Sequence, residues 1–277
     1  PLLRVPQLAI HLDRDVSMAG LQLDKQAHLT PVWGLGTSTE GDFRVWLADE
    51  LAVPPAAVLA WDLMCHDLTA PARLGRGDEL FAASRLDNLC SSWAGTVALA
   101  DQLGAASAQA KGAVPVLVLA DHEEVGSTSG VGAASTLVGR VLAASVRGAD
   151  GDAASLDAAL AGTLVASADM AHATHPNYPD RHEPHHHIVP GGGPALKVNS
   201  NQRYATDART MGAAMLAARR ANVDVQTYSH HGDLLCGSTI GPILGAALGV
   251  GVVDVGAPQL SMHSARELMA VADVDTY

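Results

Sequence analysis

The run Val-Pro-Val-Leu-Val-Leu-Ala at residues 114–120 is followed at once by Asp-His-Glu-Glu-Val-Gly-Ser at residues 121–127. A continuous apolar run of this length predicts a buried β-strand. In open α/β sheets, catalytic groups collect just beyond the carboxyl ends of strands. The segment therefore predicts a catalytic edge that carries Glu123 and Glu124, with a solvated acidic turn as the alternative interpretation.

Apolar runs alternate with helical patterns along most of the remaining chain. Further strands are predicted at Leu164 to Ala168, Asp224 to Tyr228 and Val250 to Val255, and helices from Asp87 to Leu103, Ala133 to Val146, Asp207 to Ala221 and Thr239 to Leu248. Strands without period-2 alternation, separated by helices, indicate an α/β fold in which helices cover both faces of the sheet. A last helix is expected to begin near Ala265.

The chain before residue 78 has a different pattern. Leu3 to Leu12 and Val58 to Asp67 are typical of strands, and Phe43 to Leu51 of a short helix that ends before Pro54. We therefore predict two domains, residues 1–77 and residues 78–277. In the second, residues 170–194 form a long loop rich in His, Pro and Gly, and such loops are more often functional than idle.

Composition excludes several classes of function. The 277 residues are 48% hydrophobic, and their net charge is −12. This negative charge argues against binding to nucleic acid or to an anionic membrane surface. The three cysteines, Cys65, Cys90 and Cys236, are widely spaced and indicate free thiols in a reducing compartment. With no run of about 18 apolar residues and no leader pattern, we expect neither a membrane span nor a signal peptide. A cytoplasmic location is the default expectation.

Two further carboxylates stand at the ends of predicted elements. Asp87, within Ser-Arg-Leu-Asp-Asn-Leu at 84–89, opens a helix, where it serves either as an N-cap or as a ligand that bridges two cations. Asp169 ends a short apolar strand, as Glu123 and Glu124 are expected to do. Acids at two strand ends are harder to explain as chance than acids at one.

Histidine is frequent, with 13 residues, and His263 has the most informative position. It follows the predicted strand Val250 to Val255, where a His near acids is a natural ligand for zinc, manganese or cobalt; a structural His is the alternative. His172 and His175 precede Pro176, which favours a loop over a helical metal-binding pair. The run His185 to His187 is interpreted as a polar loop surface.

Together, Asp87, Glu124, Asp169 and His263 fit an oxygen-rich site for two divalent ions, with Glu123 as general base. Such a site activates water and polarises a carbonyl group, so the expected reaction is amide hydrolysis.

Several segments, in this order along the chain, closely resemble the M18 family of aspartyl aminopeptidases. They are residues 84–89, 121–127, 167–172 with 175–178, Lys-Val-Asn-Ser-Asn-Gln-Arg-Tyr-Ala-Thr at 197–206, Cys-Gly-Ser-Thr-Ile-Gly-Pro at 236–242, Ser-Met-His-Ser at 261–264 and the opening Val5 to Leu12. The resemblance covers essentially the whole chain.

The resemblance implies a cytosolic exopeptidase that removes N-terminal Asp or Glu with two zinc ions, or with Mn or Co in their place. It also implies a catalytic domain with a mixed sheet covered by helices, and a smaller β-rich dimerisation domain. Subunits of the family dimerise and then assemble into a tetrahedral dodecamer.

Roles carry over position by position. Asp87 would bridge the metals, Asp169 would hold one, Glu124 and His263 the other, and Glu123 would be the base. The substrate pocket would be lined by His172, Lys197 and Tyr204, with His11 reaching it from a neighbouring subunit.

Two departures from the family pattern are visible. The family's first metal-binding His lies in a His-Thr-Asp-Ser-Pro-like segment, which we expect upstream of Pro1, and the family's last helix is expected beyond Tyr277. Two alternative functions stay open: a two-metal aminopeptidase or deacylase of other specificity, and a catalytically incompetent scaffold subunit.

Overall fold

The computed structural model describes residues 2–35, 42–104 and 112–277. The chain forms two compact units, Pro1–Leu68 and Thr69–Tyr277. Among the described residues, no helix is both long and apolar enough to cross a membrane. The assignment of the N-terminal part to dimerisation and of the remainder to catalysis stays a prediction.

The first unit contains little regular structure in its described part. Its elements are α1 (Val16–Ala19), α2 (Asp42–Glu50) and a 3-10 turn at Pro55–Ala57. Trp33, Trp46 and Trp61 surround the ring of Phe43, with centroids 5.4 to 5.6 Å away. The helix predicted from Phe43 to Leu51 is therefore confirmed, and its aromatic side chains supply the contacts that hold this unit together.

The two strands predicted in the first unit are wrong. Within the described residues, Leu3 to Leu12 make one ladder contact, an isolated bridge between Arg4 and Val32, and Val58 to Asp67 form no strand. An apolar alternation becomes a strand only when a neighbouring backbone accepts and donates its hydrogen bonds. In the described residues, the side chains of Leu2 to Leu12 are exposed, and Arg4 alone has such a neighbour, in Val32.

The second unit is a mixed α/β structure, which confirms the predicted fold class. Its helices are α3 (Leu86–Gly104), α4 (Leu137–Gly148), α5 (Ala153–Ala161), α6 (Ala208–Ala221), α7 (Ile240–Leu248) and α8 (Val271–Thr276). Its strands are β1 (Ala72–Leu74), β2 (Leu80–Ala83), β3 (Leu164–Ala168), β4 (Ala171–His172), β5 (Ala195–Val198), β6 (Gln226–Ser229), β7 (Gly251–Gly256), β8 (Pro258–Leu260) and β9 (Glu267–Ala270).

The strands form two mixed sheets. One has the order β3-β7-β5-β6 and the other the order β1-β2-β9-β8-β4. Helices α6 and α7 pack on β7, and α3 contacts strands of both sheets. A buried apolar cluster lies beside α3 and includes Leu86, Cys90, Met170 and Met269.

Two helices begin where the sequence predicts because polar side chains cap them. Asp207 and Thr210 form a capping box at the start of α6, and the Thr239 hydroxyl accepts the N–H of Gly241 at the start of α7. Helix α7 ends at Leu248 and is capped by Gly249, whose φ of 66° lies in the left-handed region that glycine tolerates. Local sequence therefore determines both boundaries.

Two other predictions in this unit are wrong. Residues 113–120 are not a strand, and Val114, Val116 and Leu119 are more than half exposed. In the described part of the chain no backbone pairs with this run, so its apolar side chains are uncovered. The helix expected near Ala265 is replaced by β9, which pairs with β2 and β8; α8 follows only at Val271.

The chain passes from one sheet to the other at a paired crossover. Strand β3 leads into β4, and β7 leads into β8. Strand β3 is parallel to its partner β7 in the first sheet, and β4 is parallel to its partner β8 in the second. Between them, the N–H of Asp169 donates to the Val255 carbonyl at 3.0 Å, and that of Ala171 to the Ala257 carbonyl at 2.9 Å. The crossover places Asp169 where two parallel strands end side by side.

Gly256 permits this close approach, and a side chain there is expected to destabilise the fold. A Cβ on Gly256 would overlap the carbonyl oxygen of Asp169. We expect Gly256→Ala to lower the free energy of unfolding by about 1–3 kcal/mol, measured by urea denaturation.

The matched control is Gly212→Ala on α6, where an added Cβ meets no atom within 4 Å. That change should be neutral or raise stability by about 0.5–1 kcal/mol, since alanine favours helix. Equal stability of the two variants would contradict the packing argument.

Candidate metal centre

Asp87 lies at the start of α3 but does not cap it. The backbone at Asp87 is extended, with φ −81° and ψ 110°, so the helix becomes regular only beyond Asn88. The Asp87 side chain is 3% exposed, its Oδ2 lies 3.1 Å from His263 Nε2, and its buried Oδ1 has no hydrogen-bond partner among the described residues. The N-cap interpretation is therefore not what the structure shows.

Glu123 and Glu124 lie in a 3-10 turn, Glu123–Val125, rather than after a strand. His122 and Ser127 flank it with φ values of 63° and 62°, and the N–H of Ser127 donates to the His122 carbonyl at 2.8 Å. This tight turn brings Glu124 Oε2 to 3.0 Å from His263 Nε2. The acidic turn thus faces other functional groups, even though the Glu124 side chain is 53% exposed.

Three of the predicted ligands converge. One ligand atom each of Asp87, Glu124 and His263 lies within 4.8 Å of the other two. The three residues come from the start of α3, the 3-10 turn and the loop after β8. The structure therefore brings together residues that lie up to 176 positions apart in sequence.

Asp169, the fourth predicted ligand, lies beside this cluster and is held by Lys197. The Lys197 ammonium donates to Asp169 Oδ2 at 3.1 Å and to the carbonyl oxygens of Asp169 and Met170 at 3.0 Å. The Lys197 side chain is 2% exposed and that of Asp169 is 21% exposed. Since an ammonium has three N–H donors, each of them has an acceptor here.

Crowded carboxylates shift the acid–base properties of the cluster. Burial, reinforced by the charges of Asp169 and Glu124, raises the pKa of Asp87 to about 9. Burial and the same two charges raise the pKa of Glu123 to about 7, against the opposing effect of Lys197. Because a like charge disfavours the ionised form, both shifts indicate that the cluster lacks positive charge.

The residues fit a divalent cation. Three carboxylates and an imidazole are the donors that zinc, manganese and cobalt accept, and the partnerless Asp87 Oδ1 is a buried acceptor that a cation would satisfy. A cation would also favour the ionised forms of Asp87 and Glu123. Geometry and charge therefore agree on a metal centre.

Of the residues predicted to line a substrate pocket, His172 and Tyr204 lie near Lys197, whereas His11 belongs to the other unit. Tyr204 is buried with its ring centroid 5.1 Å from Lys197 Nζ. Burial and the charge of Lys197 lower the pKa of His172 to about 4, so this His is neutral at physiological pH. His11 belongs to the first unit, where its side chain is exposed, and its role stays a prediction.

The His-rich loop does not form a second metal cluster within the described residues. His185 to His187 are exposed, as predicted for a polar loop surface, and His186 Nδ1 pairs with Glu183. The N–H of His175 donates to His182 Nε2 at 3.0 Å. These histidines stabilise the loop conformation.

Sequence reasoning missed two sets of residues near the site. Asn88 Nδ2 donates to the Ala168 carbonyl at 2.9 Å, which ties the start of α3 to the residue before Asp169. Tyr228 and His230, joined by a 2.8 Å contact between Oη and Nδ1, lie beside His172. His230 also lines a cleft of about 380 Å³ together with Arg203. Asn88 and Arg203 lie in segments that carry the family resemblance, but the sequence assigned no role to any of these residues, because their positions beside Ala168 and His172 depend on the tertiary structure.

The chain is similar to known proteins in both sequence and structure. Residues 1–277 match the family described as aminopeptidase I zinc metalloprotease (M18). A probable M18 family aminopeptidase 2 of Streptomyces avermitilis is 51% identical over 274 residues, 99% of this chain and 63% of that protein. The protein of the same description from Mycobacterium tuberculosis is 52% identical over 282 residues, 100% of this chain and 64% of that protein.

The chain thus spans less than two thirds of the length of these relatives. Among solved structures, a chain in the cryo-EM structure of the Ape4 and Nbr1 complex matches with a TM-score of 0.92 and 33% identity. That match covers all of this chain and 56% of the other.

The raised carboxyl pKa values predict how the metal-free protein responds to pH. A carboxyl group whose pKa is higher in the folded state than in the unfolded state binds more protons when folded. The contribution of Asp87 to the stability of the folded state is therefore fully present below about pH 4 and is lost as pH rises toward 9. We expect the melting temperature of chelator-treated protein to fall across this window.

Asp87→Asn is the matched variant, since it removes the titrating group while it keeps the shape of the side chain. Its melting temperature should fall less steeply between pH 5 and pH 8 than that of the wild type, and added Zn²⁺ should flatten the wild-type curve. Parallel metal-free curves for the two proteins would contradict the assignment.

Proposed function

This chain belongs to the M18 family of zinc metalloproteases, and on that premise we propose that it carries the catalytic centre of a metal-dependent aminopeptidase that removes Asp or Glu from the N-termini of peptides. The observation that carries the proposal is the convergence of Asp87, Glu124 and His263, whose ligand atoms lie within 4.8 Å of one another. Glu123 stands next to this point in the same 3-10 turn.

We propose two divalent ions per subunit. Glu124 and His263 would hold one and Asp169 the other, and Asp87 would be a ligand of both. The support is that Asp87 Oδ2 faces His263 while Oδ1 has no partner among the described residues. Zinc is the first choice, and Mn or Co accept the same donors. When bound, such ions polarise the scissile carbonyl and lower the pKa of water.

Glu123 is proposed as the general base. It would take a proton from the attacking water as the new C–O bond forms at the carbonyl carbon, and then give that proton to the amine nitrogen as the C–N bond breaks. A base works best when its pKa lies near the working pH, and burial raises the pKa of Glu123 to about 7. Bound cations would lower that value and keep the base ionised.

Selectivity for acidic residues is proposed to depend on Lys197, with His172 and Tyr204 beside it. A carboxylate that enters a pocket needs a compensating charge or strong donors. Lys197 is a buried cation next to the metal centre, which supports the proposal. One observation favours the alternative of neutral substrates: all three N–H donors of Lys197 already have acceptors.

Assembly and location are proposed from the family resemblance. The chain would act in the cytoplasm as a homo-oligomer, with dimers assembled into a tetrahedral dodecamer and His11 contributing to a neighbouring subunit's pocket. The side chains of Leu8, Ile10 and Leu12 are 54%, 60% and 76% exposed, as expected of a surface that another subunit covers.

A substrate panel tests the activity and its specificity together. We expect the complete encoded polypeptide with Zn²⁺ to release Asp and Glu from their anilides at least about tenfold faster than Leu or Ala, as differential binding of one charged group allows. Equal rates would support a two-metal aminopeptidase of other specificity. No hydrolysis of any anilide, with fewer than two bound ions, would favour a scaffold subunit.

Glu123→Gln tests the general base. Loss of the proton acceptor should lower kcat by about 10²–10⁴-fold, measured by steady-state hydrolysis of the preferred anilide. Metal content should stay at the wild-type value because Glu123 is not a proposed ligand.

The matched control for this experiment is the adjacent Glu124→Gln, which should lower metal affinity as well as kcat. If both variants lose metal equally, Glu123 is a ligand and the proposed division of roles is wrong.

Lys197→Met tests acidic selectivity. Since Lys197 also holds Asp169, activity should fall on all substrates, but the ratio of kcat/KM for Asp over Leu anilide should fall at least about tenfold. Both anilides are assayed at saturating Zn²⁺, and the Leu anilide is the control for any general loss of activity. An unchanged ratio would show that Lys197 only positions Asp169.

A further inference from the structure

Glu267 is a buried carboxylate that no part of the proposed chemistry uses. It begins β9, is 1% exposed, and has no Lys or Arg partner among the described residues. Its Oε2 accepts the N–H of Asp87 at 2.9 Å, and its Oε1 accepts the N–H of His263 at 2.7 Å. One carboxylate group therefore holds the backbone of two proposed metal ligands, one oxygen for each.

The topology of the second sheet explains how one side chain reaches both ligands. Strand β9 lies between β2 and β8, and it runs antiparallel to both. Glu267 pairs with Ala83, the last residue of β2, and the next residue pairs with Leu260, the last residue of β8. The chain leaves β2 toward Asp87 and leaves β8 toward His263, so Glu267 stands where both segments leave the sheet.

Both segments need support from outside their own backbone. Ser261 and His263 have φ values of 57° and 67°, a left-handed conformation that is uncommon for residues other than glycine. Asp87 departs from the helical backbone of α3. Such conformations persist only where surrounding contacts hold them, and a side chain on a strand that is paired on both edges is a rigid contact.

We propose that Glu267 is a positioning residue that sets the distance and orientation of Asp87 relative to His263, and thereby the affinity of the metal centre. The inference rests on the proposed metal-dependent function. Glu267 would not hold the ion itself; it would act through the N–H groups of Asp87 and His263, which donate to its two oxygens. Loss of a group that holds a metal ligand in place commonly lowers metal affinity about 10–100-fold.

Glu267→Gln is the informative substitution. An amide has nearly the same shape as a carboxylate but only one acceptor oxygen, so one N–H keeps its partner while the other meets the donor end of the amide. Either Asp87 or His263 must then shift. We expect zinc affinity to fall about 10–100-fold, the range found when partners of metal ligands are removed.

The chain offers a matched control in Asp273→Asn. Asp273 is also 1% exposed, and its two oxygens accept the N–H groups of Gly191 and Gly193 at 2.6 and 3.1 Å. Asp273 is a buried carboxylate in the same unit, as Glu267 is, but it accepts no N–H group of a proposed metal ligand. It should destabilise the protein comparably while zinc affinity changes by less than about threefold, because no ligand-bearing segment loses a bond.

The experiment uses the complete encoded polypeptide after metal removal. Zn²⁺ affinity is measured by competition with a chromophoric chelator, melting temperatures are recorded without metal, and the visible spectrum of the Co²⁺-loaded protein reports ligand geometry. Glu267→Gln should lose zinc affinity and change the Co²⁺ spectrum; Asp273→Asn should do neither.

Glu267→Asp provides a second arm if Glu267→Gln does not fold. It keeps the charge but is one methylene shorter, so it cannot reach both N–H groups, and it too should lose zinc affinity about tenfold or more. Wild-type zinc affinity in either soluble Glu267 variant, or an equal loss in Asp273→Asn, would overturn the inference. Failure of the wild type itself to bind zinc would instead overturn the proposed function.

Discussion

Mutual repulsion among carboxylates that the fold holds together is the constraint on which the centre of this protein depends. Asp87, Glu124 and Asp169 lie near His263 and Glu123, and the neighbouring cation Lys197 is already paired with Asp169. Without further positive charge, burial and repulsion drive Asp87 and Glu123 toward their protonated forms. Because the fold holds these like charges together, the site favours the binding of divalent cations.

The other buried acids of the second unit show how unusual Asp87 is. Asp254 accepts the N–H of Ala205 and the hydroxyl of Thr239, and Asp273 accepts two backbone N–H groups. Glu267 likewise uses both of its oxygens. Each of these carboxylates is satisfied by neutral donors, whereas Asp87 keeps one buried oxygen without a partner among the described residues. An unsatisfied acceptor of this kind is costly unless a ligand completes it.

The positions of these carboxylates and of His263 depend on backbone conformation more than on side-chain packing. Asp169 lies at the crossover between two sheets, Glu124 in a turn between left-handed residues, and His263 in a loop with φ of 67°. Strands β3 and β8 end shortly before Asp169 and His263, whereas Glu124 follows no strand. These strands fix the positions of Asp169 and His263, and short irregular segments orient all three side chains.

The sequence by itself predicted the residues of the proposed metal centre, the strands β3, β6 and β7, and the capped starts of α6 and α7. These features depend on local chemistry: Asp207 and Thr239 cap their helices whatever lies elsewhere, and an acid after an apolar strand such as β3 needs no distant partner to be recognised. The expected strand at 114–120 failed for the opposite reason. Apolar character was present, but no backbone among the described residues pairs with it.

Only the tertiary structure decided which of the acids meet and how they are held. Asp87 was compatible with a helix cap until His263, 176 positions away, was found beside it. Asn88 and Glu267 were unremarkable in sequence because their contacts with Ala168, Asp87 and His263 depend on sheet order. Distances between groups far apart in sequence are set by packing and strand pairing, which local pattern does not encode.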